Sequence, residues 1–383
     1  MSSSYTMRII FITLFLTLNF SLKSQNVEHI NSLKINQIQT IGSHNSYHLR
    51  ANKFVLNFLK GLAPIVPKEY NPKDLDYAHE PLLVQLDSFH LRSFEIDVYA
   101  DPNGGQFYKR IKNNLLGKPR ASNIPELKEP GFKVLHIPDL DYNTRYYTFK
   151  SMLLDFKNWS DAHPNHLPIY IMIECKEETL SDHFKKLHFS SSIKYTPEIC
   201  DALDKELMDV FGNDLAQVIT PNKVRDTFPT LRDAVLAGNF PTIEAARGKF
   251  IFIVMQNGNT YTQNHPSLKD RAMFVFTNEN APEAAFIKYD DALIEENKIK
   301  NAVLQGFIVR TRADGPNIQN RSGNYAQQQA AFRSGAQIIS TDYYRPDIRY
   351  KKKPKKFTNY STHFLGNDIA RINPINADCT IKE

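Results

Sequence analysis

The sequence is poor in cysteine, which excludes several classes of protein. Its 383 residues contain three cysteines, Cys175, Cys200 and Cys379. Their spacing matches no zinc-binding pattern, and so few cysteines cannot build the disulfide framework on which small secreted domains depend. At most one disulfide can form, for instance between Cys200 and Cys379. The hydrophobic content of 42% instead predicts a core large enough to fold without disulfides.

Long apolar runs are also scarce, and the most apolar one lies near the N-terminus. Residues 9–22 are almost wholly apolar, but this run of 14 residues is shorter than the roughly 20 needed to span a bilayer. It follows the basic Arg8 and precedes the small Ser24, a pattern typical of a cleaved signal peptide. We therefore predict a signal peptide over residues 1–24 and a secreted, periplasmic or extracellular, mature protein. An uncleaved anchor is the alternative.

The chain lacks a strong excess of charge of either sign. It has 47 basic and 41 acidic residues, a formal net charge of +6, and loss of Arg8 and Lys23 with the signal peptide leaves 45 against 41. A balance of +4 excludes a general polyanion-binding tail, so we expect no nucleic-acid partner. We also expect no protein partner and a monomer. The densest basic cluster, residues 351–356, is either a solvated loop or a contact with an anionic lipid surface.

No internal repeat or flexible linker divides residues 25–383, which predicts a single domain. Short β-rich runs alternate with longer helical stretches, a pattern typical of parallel βα units. The predicted strands are Gln37–Gly42, Ser93–Tyr99, Phe132–His136, Ile169–Cys175, Gln217–Thr220, Lys249–Met255, Gly306–Arg310 and Gln337–Thr341. Eight such units predict an α/β fold of the TIM type, a (β/α)8 barrel, with its chemistry at the C-terminal ends of the strands. An open doubly wound sheet would show the same alternation, but no glycine-rich nucleotide fingerprint follows the first strand.

Acidic residues lie within two of these otherwise apolar strands. Because side chains alternate faces along a strand, Glu95 and Asp97 share one face, and Glu174 and Lys176 emerge together at the end of another strand. Buried carboxylates are costly unless they are paired or bind a metal. With an amide oxygen such as that of Asn45, they offer the hard oxygen ligands that calcium prefers. Ion pairing with Lys176 or Arg92 is the alternative, and Mg²⁺ or Mn²⁺ would suit the same ligands.

Two histidines occupy similar positions at predicted strand ends. His44 follows the first strand and His136 ends the third. Cleavage of a phosphodiester needs one group to take a proton from the nucleophile and another to give a proton to the leaving oxygen, and two histidines meet that need. The other histidines, including His48 and His79, are interpreted as surface or structural residues.

Four segments taken together, in this order, resemble the phosphatidylinositol-specific phospholipase C superfamily. They are residues 42–47, 94–97, 134–136 and 173–176. The chain looks most like the calcium-dependent phosphoinositide phospholipase C branch from bacteria. The similarity continues through residues 306–314 and 335–344, so it covers most of the mature chain.

The resemblance implies a somewhat distorted barrel that cleaves phosphatidylinositol-type lipids at a membrane surface into diacylglycerol and a cyclic or open inositol phosphate. The ligands of one Ca²⁺ would be Asn45, Glu95, Asp97 and Glu174. His136 would protonate the diacylglycerol oxygen, while His44 would stabilise charge on the phosphoryl group or share the role of base with Glu95. The nucleophile would be the inositol 2-hydroxyl, which gains from proximity to its own phosphate.

Three basic residues are candidates for contact with the substrate. Arg310 and Arg312 lie on one face of their strand and would hold a phosphate or sugar hydroxyls through forked donors, and Lys176 would contact the phosphate. Salt bridges to barrel carboxylates are the alternative. Two other functions stay open: a glycerophosphodiester phosphodiesterase, for which an arginine would be expected in place of Asn45, and a secreted barrel that binds lipid or glycan without turnover.

Overall fold

A computed structural model of the protein describes residues 30–62, 71–110, 119–183, 188–315 and 318–377. The predicted signal peptide and Cys379 lie outside the described residues. Cys175 and Cys200 are both buried free thiols. Within the described ranges, no helix is both long and apolar enough to cross a bilayer.

Eight parallel strands form the centre of the fold. The strands of the described chain are β1 Ile38–Ser43, β2 Ser93–Tyr99, β3 Lys133–Val134, β4 Ile169–Cys175, β5 Phe250–Val254, β6 Phe274–Val275, β7 Phe286–Asp291, β8 Ile308–Arg312, β9 Ile338–Thr341 and β10 Ala370–Ile372. The parallel strands follow the order β6-β5-β4-β2-β1-β9-β8-β7. A parallel bridge between Phe276 and Phe286 joins the two ends of this sheet into a nearly closed barrel. The predicted TIM-type α/β fold is confirmed.

Helices surround the barrel and connect most of its strands. They are α1 Lys53–Leu62, α2 Leu82–Asp87, α3 Phe149–Ala162, α4 Leu180–His183, α5 Pro197–Phe211, α6 Pro221–Arg225, α7 Leu231–Leu236, α8 Ile243–Ala246, α9 Gly258–Thr262, α10 Ala292–Leu304, α11 Gln319–Ser322 and α12 Ala326–Ser334. Short 3₁₀ helices lie at Ile35–Gln37, Pro125–Lys128, Pro266–Leu268 and Leu365–Asn367. The connection between β6 and β7 has no helix, so the barrel departs there from strict βα alternation.

Threonine caps explain where several of these helices begin. The five helices α3, α5, α6, α7 and α8 each follow a threonine whose side chain accepts a hydrogen bond from a backbone N–H of the first turn. Such a cap satisfies a donor that has no partner inside the helix. Pro197 and Pro221 each occupy a first helical position, where a missing N–H costs nothing.

Six of the eight predicted strands form part of the barrel. Ser93–Tyr99 and Ile169–Cys175 have the predicted bounds, and the other four differ by one or two residues at their ends. In β2 the side chains alternate as expected. Phe94 packs outward against Phe156 of α3 with 5.0 Å between ring centroids, and Glu95 and Asp97 lie on the opposite, barrel-interior face.

Two predicted strands are wrong. Phe132–His136 supplies only β3, which turns back and pairs antiparallel with the end of β2. His136 therefore lies in the long loop after β2 and not at the end of a barrel strand. Within Gln217–Thr220 only Val218 makes a bridge, to Phe250, and Thr220 instead caps α6.

The other two strands of the barrel are β6 and β7, which the sequence pattern did not predict. β6 has only two residues, too few to show any periodicity. In β7 only Phe286 and Ile287 are buried, and four polar or half-exposed residues follow them. A buried run of two residues falls below the length at which apolar periodicity predicts a strand.

Close approach of β1 and β2 at Gly42 positions the residues that follow β1. A Cβ built on Gly42 would lie 2.3 Å from the carbonyl oxygen of Ser93. We expect Gly42→Ala to lower the free energy of unfolding by about 1–3 kcal/mol, because overpacking forces backbone shifts. Urea denaturation measures the change. Gly61→Ala is the matched control, since a Cβ there meets no atom within 4 Å; equal effects of the two substitutions would contradict the argument.

Candidate active site

The C-terminal end of the barrel brings together polar side chains from strands and from the loops that follow them. His44 comes directly after β1, where its backbone N–H donates to the carbonyl of Thr341 at 3.0 Å. Its own carbonyl accepts a 2.7 Å hydrogen bond from Nε2 of His79. Burial lowers the pKa of His79 to about 3, which favours its neutral form. These two hydrogen bonds hold the backbone of His44 in place independently of its side-chain contacts.

The His44 imidazole is the centre of one hydrogen-bonded network. Its Nδ1 donates to Oδ1 of Asp342 at 2.8 Å, and Arg312 donates to Oδ2 of the same carboxylate at 2.9 Å. Burial alone would raise the pKa of Asp342, but Arg312 and His44 hold it far below its usual range. Nε2 of His44 faces Glu95, with 3.5 Å to Oε1. A permanent carboxylate therefore orients this imidazole and leaves Nε2 toward the site.

His136 belongs to a second network, built by loop residues. Its Nδ1 donates to Oδ2 of Asp141 at 2.8 Å, and Nε2 of His48 donates to the same oxygen at 2.7 Å. Burial would raise the pKa of Asp141, but the two histidines lower it to about 2. His48 is fully buried and shares the carboxylate that orients His136. Its structural role, which the sequence left unspecified, is therefore to support a candidate catalytic group.

Tyr77 lies between the two networks and shows that they share one end of the barrel. Its ring stacks on His48 with 4.4 Å between centroids and lies 6.5 Å from the ring of His44. The rings of His48 and His136 contact edge to face at 5.5 Å. The side chains of His44 and His136 are 20% and 17% exposed, so both are accessible. The structure thus brings the two predicted histidines together at one mouth.

The predicted carboxylates lie at the same mouth and are paired with cations. Glu95 binds Arg310 at 2.7 Å, and Lys176 lies 3.1 Å from Glu174 and 3.6 Å from Asp97. The predicted ion pairing with Lys176 is therefore present. Arg92, the other predicted partner, instead donates to backbone carbonyls near the start of β2.

These contacts shift the two buried β2 carboxyl groups in opposite directions. Burial would raise the pKa of Glu95, but Arg310 and His44 lower it. Burial and the negative charge of Glu174 raise the pKa of Asp97 well above its ordinary value, and Lys176 only partly offsets this. Glu95 is thus a stable carboxylate, whereas ionised Asp97 is costly and lacks sufficient positive charge around it.

Orphaned oxygen atoms test whether these residues fit a calcium ion. Both carboxylate oxygens of Asp97 and Oδ1 of Asn45 are buried without a hydrogen-bond partner among the described residues. Asn45 has a backbone φ of 48°, a left-handed conformation that asparagine tolerates better than most residues. Unsatisfied hard oxygens beside excess negative charge fit a divalent cation chemically.

The spacing of the carboxylates is wider than that of a closed metal cage. Among the described residues, three potential metal-binding side chains come close together: His48, His136 and Asp141. One ligand atom from each lies within 4.8 Å of the other two. Glu95, Asp97 and Glu174 do not form such a group and are held by Arg310 and Lys176 instead.

A cavity of about 450 Å³ opens at this mouth. His44, Glu95, Glu174, Arg310 and Arg312, all predicted site residues, line it. The volume lies within the range of small-molecule sites. Arg310 also pairs with Asp290 on β7, so both predicted arginines are held in ion pairs while they face the cavity.

Some residues of the site were absent from the prediction. Asp141 lies in the loop five residues after His136, beside Asp139, and nothing in the sequence separates these two aspartates. Lys288 and Asp290 also line the cavity, but they come from β7, which was not recognised as a strand. Asp342 directly follows β9, but its pairing with His44 joins residues 298 positions apart, which no local pattern encodes.

Comparison with known proteins agrees with this geometry. The family model described as "Phosphoinositide phospholipase C, Ca2+-dependent" matches residues 33–374. No curated protein sequence matches the chain. Two solved structures of a calcium-dependent phosphoinositol-specific phospholipase C from a Pseudomonas species, one a myoinositol complex and one an apo form, are 16% and 15% identical. Each alignment covers 90% of this chain and 96% of the other, with TM-scores of 0.51 and 0.52.

A calcium-dependent phosphatidylinositol-specific phospholipase C from Streptomyces antibioticus is 15% identical, with 81% of this chain and 95% of that chain covered and a TM-score of 0.49. At these identities the two Pseudomonas structures support the barrel fold alone, whereas the family match spans nearly the whole described chain. The protein belongs to the calcium-dependent phosphoinositide phospholipase C family and is a phosphoric diester hydrolase.

Proposed function

We propose that the protein cleaves phosphatidylinositol-type lipids to diacylglycerol and a cyclic inositol phosphate that can be hydrolysed further. The observation that carries the proposal is a pair of accessible imidazoles at one barrel mouth, each oriented by its own buried carboxylate, Asp342 for His44 and Asp141 for His136. Acid–base cleavage of a phosphodiester needs two such groups. The proposed partner is a phospholipid at a membrane surface.

The proposed first step is an intramolecular displacement at phosphorus. The inositol 2-hydroxyl oxygen bonds to its own phosphorus, and the bond from phosphorus to the glycerol oxygen breaks. Nε2 of His44 and the Glu95 carboxylate, 3.5 Å apart, share the removal of the hydroxyl proton. His136 gives a proton to the departing glycerol oxygen. Because the nucleophile belongs to the substrate, positioning supplies much of the rate.

We assign one Ca²⁺ to Asn45, Glu95, Asp97 and Glu174, on the support of the family match and of the unsatisfied oxygens of Asn45 and Asp97. When bound, the ion would supply charge stabilisation to the phosphoryl group and lower the pKa of the attacking hydroxyl. The separation of Glu95, Asp97 and Glu174 means that their side chains must move closer together to bind it.

Lys176, Arg310 and Arg312 are proposed to contact the substrate phosphate or sugar hydroxyls. In the structure Lys176 and Arg310 neutralise the same carboxylates that would hold calcium. A divalent cation held by those carboxylates would replace Lys176 and Arg310 as their counter-charge, leaving Arg310 paired with Asp290. The charges of Lys176 and Arg310 would then face the phosphate, for which forked guanidinium donors are well suited.

Secretion and chain organisation follow from the sequence. We propose that residues 1–24 are a signal peptide and that residues 25–383 form one domain, which acts as a monomer. The family match from residue 33 to residue 374 supports a single domain. A mature protein that retained residues 1–24 would contradict the assignment of a signal peptide.

Two alternatives have weaker support. A glycerophosphodiester phosphodiesterase would be expected to have an arginine where Asn45 stands, and the family match favours phosphoinositides. A barrel that binds lipid without turnover has no need for two histidines that are each oriented by a carboxylate. Turnover measurements separate these functions.

Turnover measurements test the roles of the two histidines. Phosphatidylinositol incubated with the mature protein should give cyclic inositol phosphate only with calcium, as measured by phosphorus NMR. His44→Ala and His136→Ala should each lower kcat by about 10²–10⁴-fold, the usual contribution of acid–base groups. The control is His163→Ala, which removes an imidazole stacked on Trp159 beyond the end of α3. Unchanged turnover in either mouth variant would refute the assigned roles.

Calcium binding can be tested by its effect on the stability of the protein. Calcium in roughly 100-fold excess over its Kd should raise the free energy of unfolding by about 2.7 kcal/mol. A carboxyl group whose pKa is raised in the folded state costs stability above that pKa, so Asp97→Asn should leave the calcium-free protein at least as stable as the parent. The same variant should lose the calcium-induced rise in Tm. The exposed Asp209→Asn on α5 is the control and should retain it.

The role of His136 as the general acid can be tested through its pKa. Burial lowers the pKa of His136, and the Asp141 carboxylate opposes this by favouring the imidazolium. Asp141→Asn should therefore lower the pKa of His136 further, as measured by NMR titration of its ring protons. Because an acid must be protonated, loss of kcat/KM with rising pH should then begin at a lower pH.

The control for this measurement is Asp139→Asn. Asp139 lies two residues from Asp141 but accepts a hydrogen bond from the backbone of Ser190. An Asp141→Asn profile that coincides with the Asp139→Asn profile would show that Asp141 does not act through His136.

A further inference from the structure

A strongly basic groove lies beside the catalytic mouth and has no role in the proposed mechanism. It has a volume of about 470 Å³ and is lined by eight Lys and Arg side chains and one carboxylate, that of Asp76. The lining thus carries a net charge of +7, whereas the whole chain carries +6, from 47 basic and 41 acidic residues. The remaining 39 basic and 40 acidic residues nearly cancel, so the excess positive charge of the chain is concentrated in this groove.

Three arginines form the fixed part of the groove. Arg50, Arg321 and Arg349 all pair with Asp76, at 3.1, 3.3 and 2.7 Å. Asp347 takes a further bond from Arg349. Two carboxylates cannot neutralise three guanidinium groups, and burial together with the neighbouring charge of Arg349 lowers the pKa of Arg50.

Packing holds two of these guanidinium groups in place. Arg321 and Arg349 both lie over the ring of Phe357, at 4.7 and 4.1 Å from its centroid. Stacking on an aromatic ring keeps a guanidinium charged while its N–H donors stay available at its edge. Arginines that are restrained before a ligand arrives lose less conformational entropy when they bind it.

Lysines from two separate segments complete the walls. Lys53 and Lys60 lie one and a half to two turns apart on α1, and Lys353 and Lys356 belong to the basic run after β9. All four are exposed, and none forms an ion pair with a described residue. Their charges are therefore available to an incoming anion.

We propose that this groove is a second anion site, which binds a phosphomonoester group. A phosphomonoester carries close to two negative charges and several acceptor oxygens, which match forked arginine donors surrounded by lysines. The volume of about 470 Å³ is that of a site for a single small headgroup. The group would come either from a phosphorylated lipid headgroup or from a soluble phosphate ester.

Two consecutive residues connect the groove to the catalytic mouth. Asp76, on which the arginines converge, precedes Tyr77, whose ring stacks on His48 at 4.4 Å. An occupied groove would hold a phosphorylated lipid next to the histidine networks. The inference nevertheless concerns binding alone and does not depend on the proposed cleavage reaction.

Direct binding measurements test the site with probes that lack inositol. Calorimetry would measure glycerol 3-phosphate as the soluble phosphomonoester. Sedimentation would measure phosphatidylcholine vesicles that contain either phosphatidic acid or phosphatidylserine, matched in surface potential. We expect saturable binding of a phosphomonoester probe and preference for phosphatidic acid over phosphatidylserine. Binding to both phosphomonoester probes indicates a general phosphate site, and binding to the vesicles alone indicates a lipid headgroup site.

Charge reversal supplies a matched control within one segment. Lys353→Glu with Lys356→Glu should weaken phosphomonoester binding by about tenfold or more, since two reversed charges face the dianion. Lys351→Glu with Lys352→Glu makes the same change in net charge in the same basic run, but outside the groove lining, and should have an effect below about twofold. A second groove variant, Lys53→Glu with Lys60→Glu, alters the other wall and should resemble the first. Thermal melting checks that each variant is folded.

Three results would overturn the proposal. One is the absence of saturable binding to both phosphomonoester probes, glycerol 3-phosphate and the phosphatidic acid vesicles. Another is an equal loss of binding in the groove and control variants, which would indicate long-range attraction to the whole basic run. The third is equal capture by phosphatidylserine vesicles, which would indicate a surface for anionic membranes in general.

Discussion

Burial of negative charge inside the barrel mouth is the constraint on which the site depends. Glu95 and Asp97 point into the barrel, because the apolar side chains that alternate with them on β2 lie on the opposite face, toward the helices. Carboxylates removed from water need a compensating charge. Arg310, although it also pairs with Asp290, lowers the pKa of Glu95 together with His44, whereas Lys176 divides its charge between Asp97 and Glu174 and leaves the pKa of Asp97 raised. The imbalance leaves one side of the mouth short of positive charge, and that is the side on which the unsatisfied oxygens of Asp97 and Asn45 lie.

In both histidine networks a carboxylate orients an imidazole, but the residues come from different structural elements. His44 and Asp342 both come directly after barrel strands, so the sheet register fixes their distance. His136, Asp141 and His48 lie in loops, and their positions depend on packing of those loops. A small apolar cluster supplies that packing: Ile137 and Leu140, which precede Asp141, belong to the same cluster as Val55 and Leu59 of α1. The segment after β1 thus supports the acid as well as forming the rim of the mouth.

The sequence predicted the strand-borne part of this site and missed most of the loop-borne part, for a physical reason. Period-two alternation in β2 and β4 depends only on local geometry, so the bounds of both strands and the shared face of Glu95 and Asp97 were correct. The bond between His48 and Asp141 joins residues 93 positions apart across two irregular loops, and no local pattern encodes it. His136 lies at the mouth although its predicted strand is wrong, because the family resemblance that pointed to this residue does not depend on the strand assignment.

Charge distribution links the groove to the chemistry next to it. Outside the groove lining the chain is close to neutral, and the mouth itself contains buried carboxylates that would oppose the approach of an anionic lipid. The attraction that brings such a substrate to the barrel must therefore come mainly from the groove, because exposed charges act over about one Debye length whereas the internal pairs cancel at short range. A protein of nearly balanced composition thus obtains a directed field by placing its excess lysines and arginines on one side of the mouth. Within the basic run after β9, Lys353 and Lys356 line the groove, whereas Lys351 and Lys352 lie outside its lining.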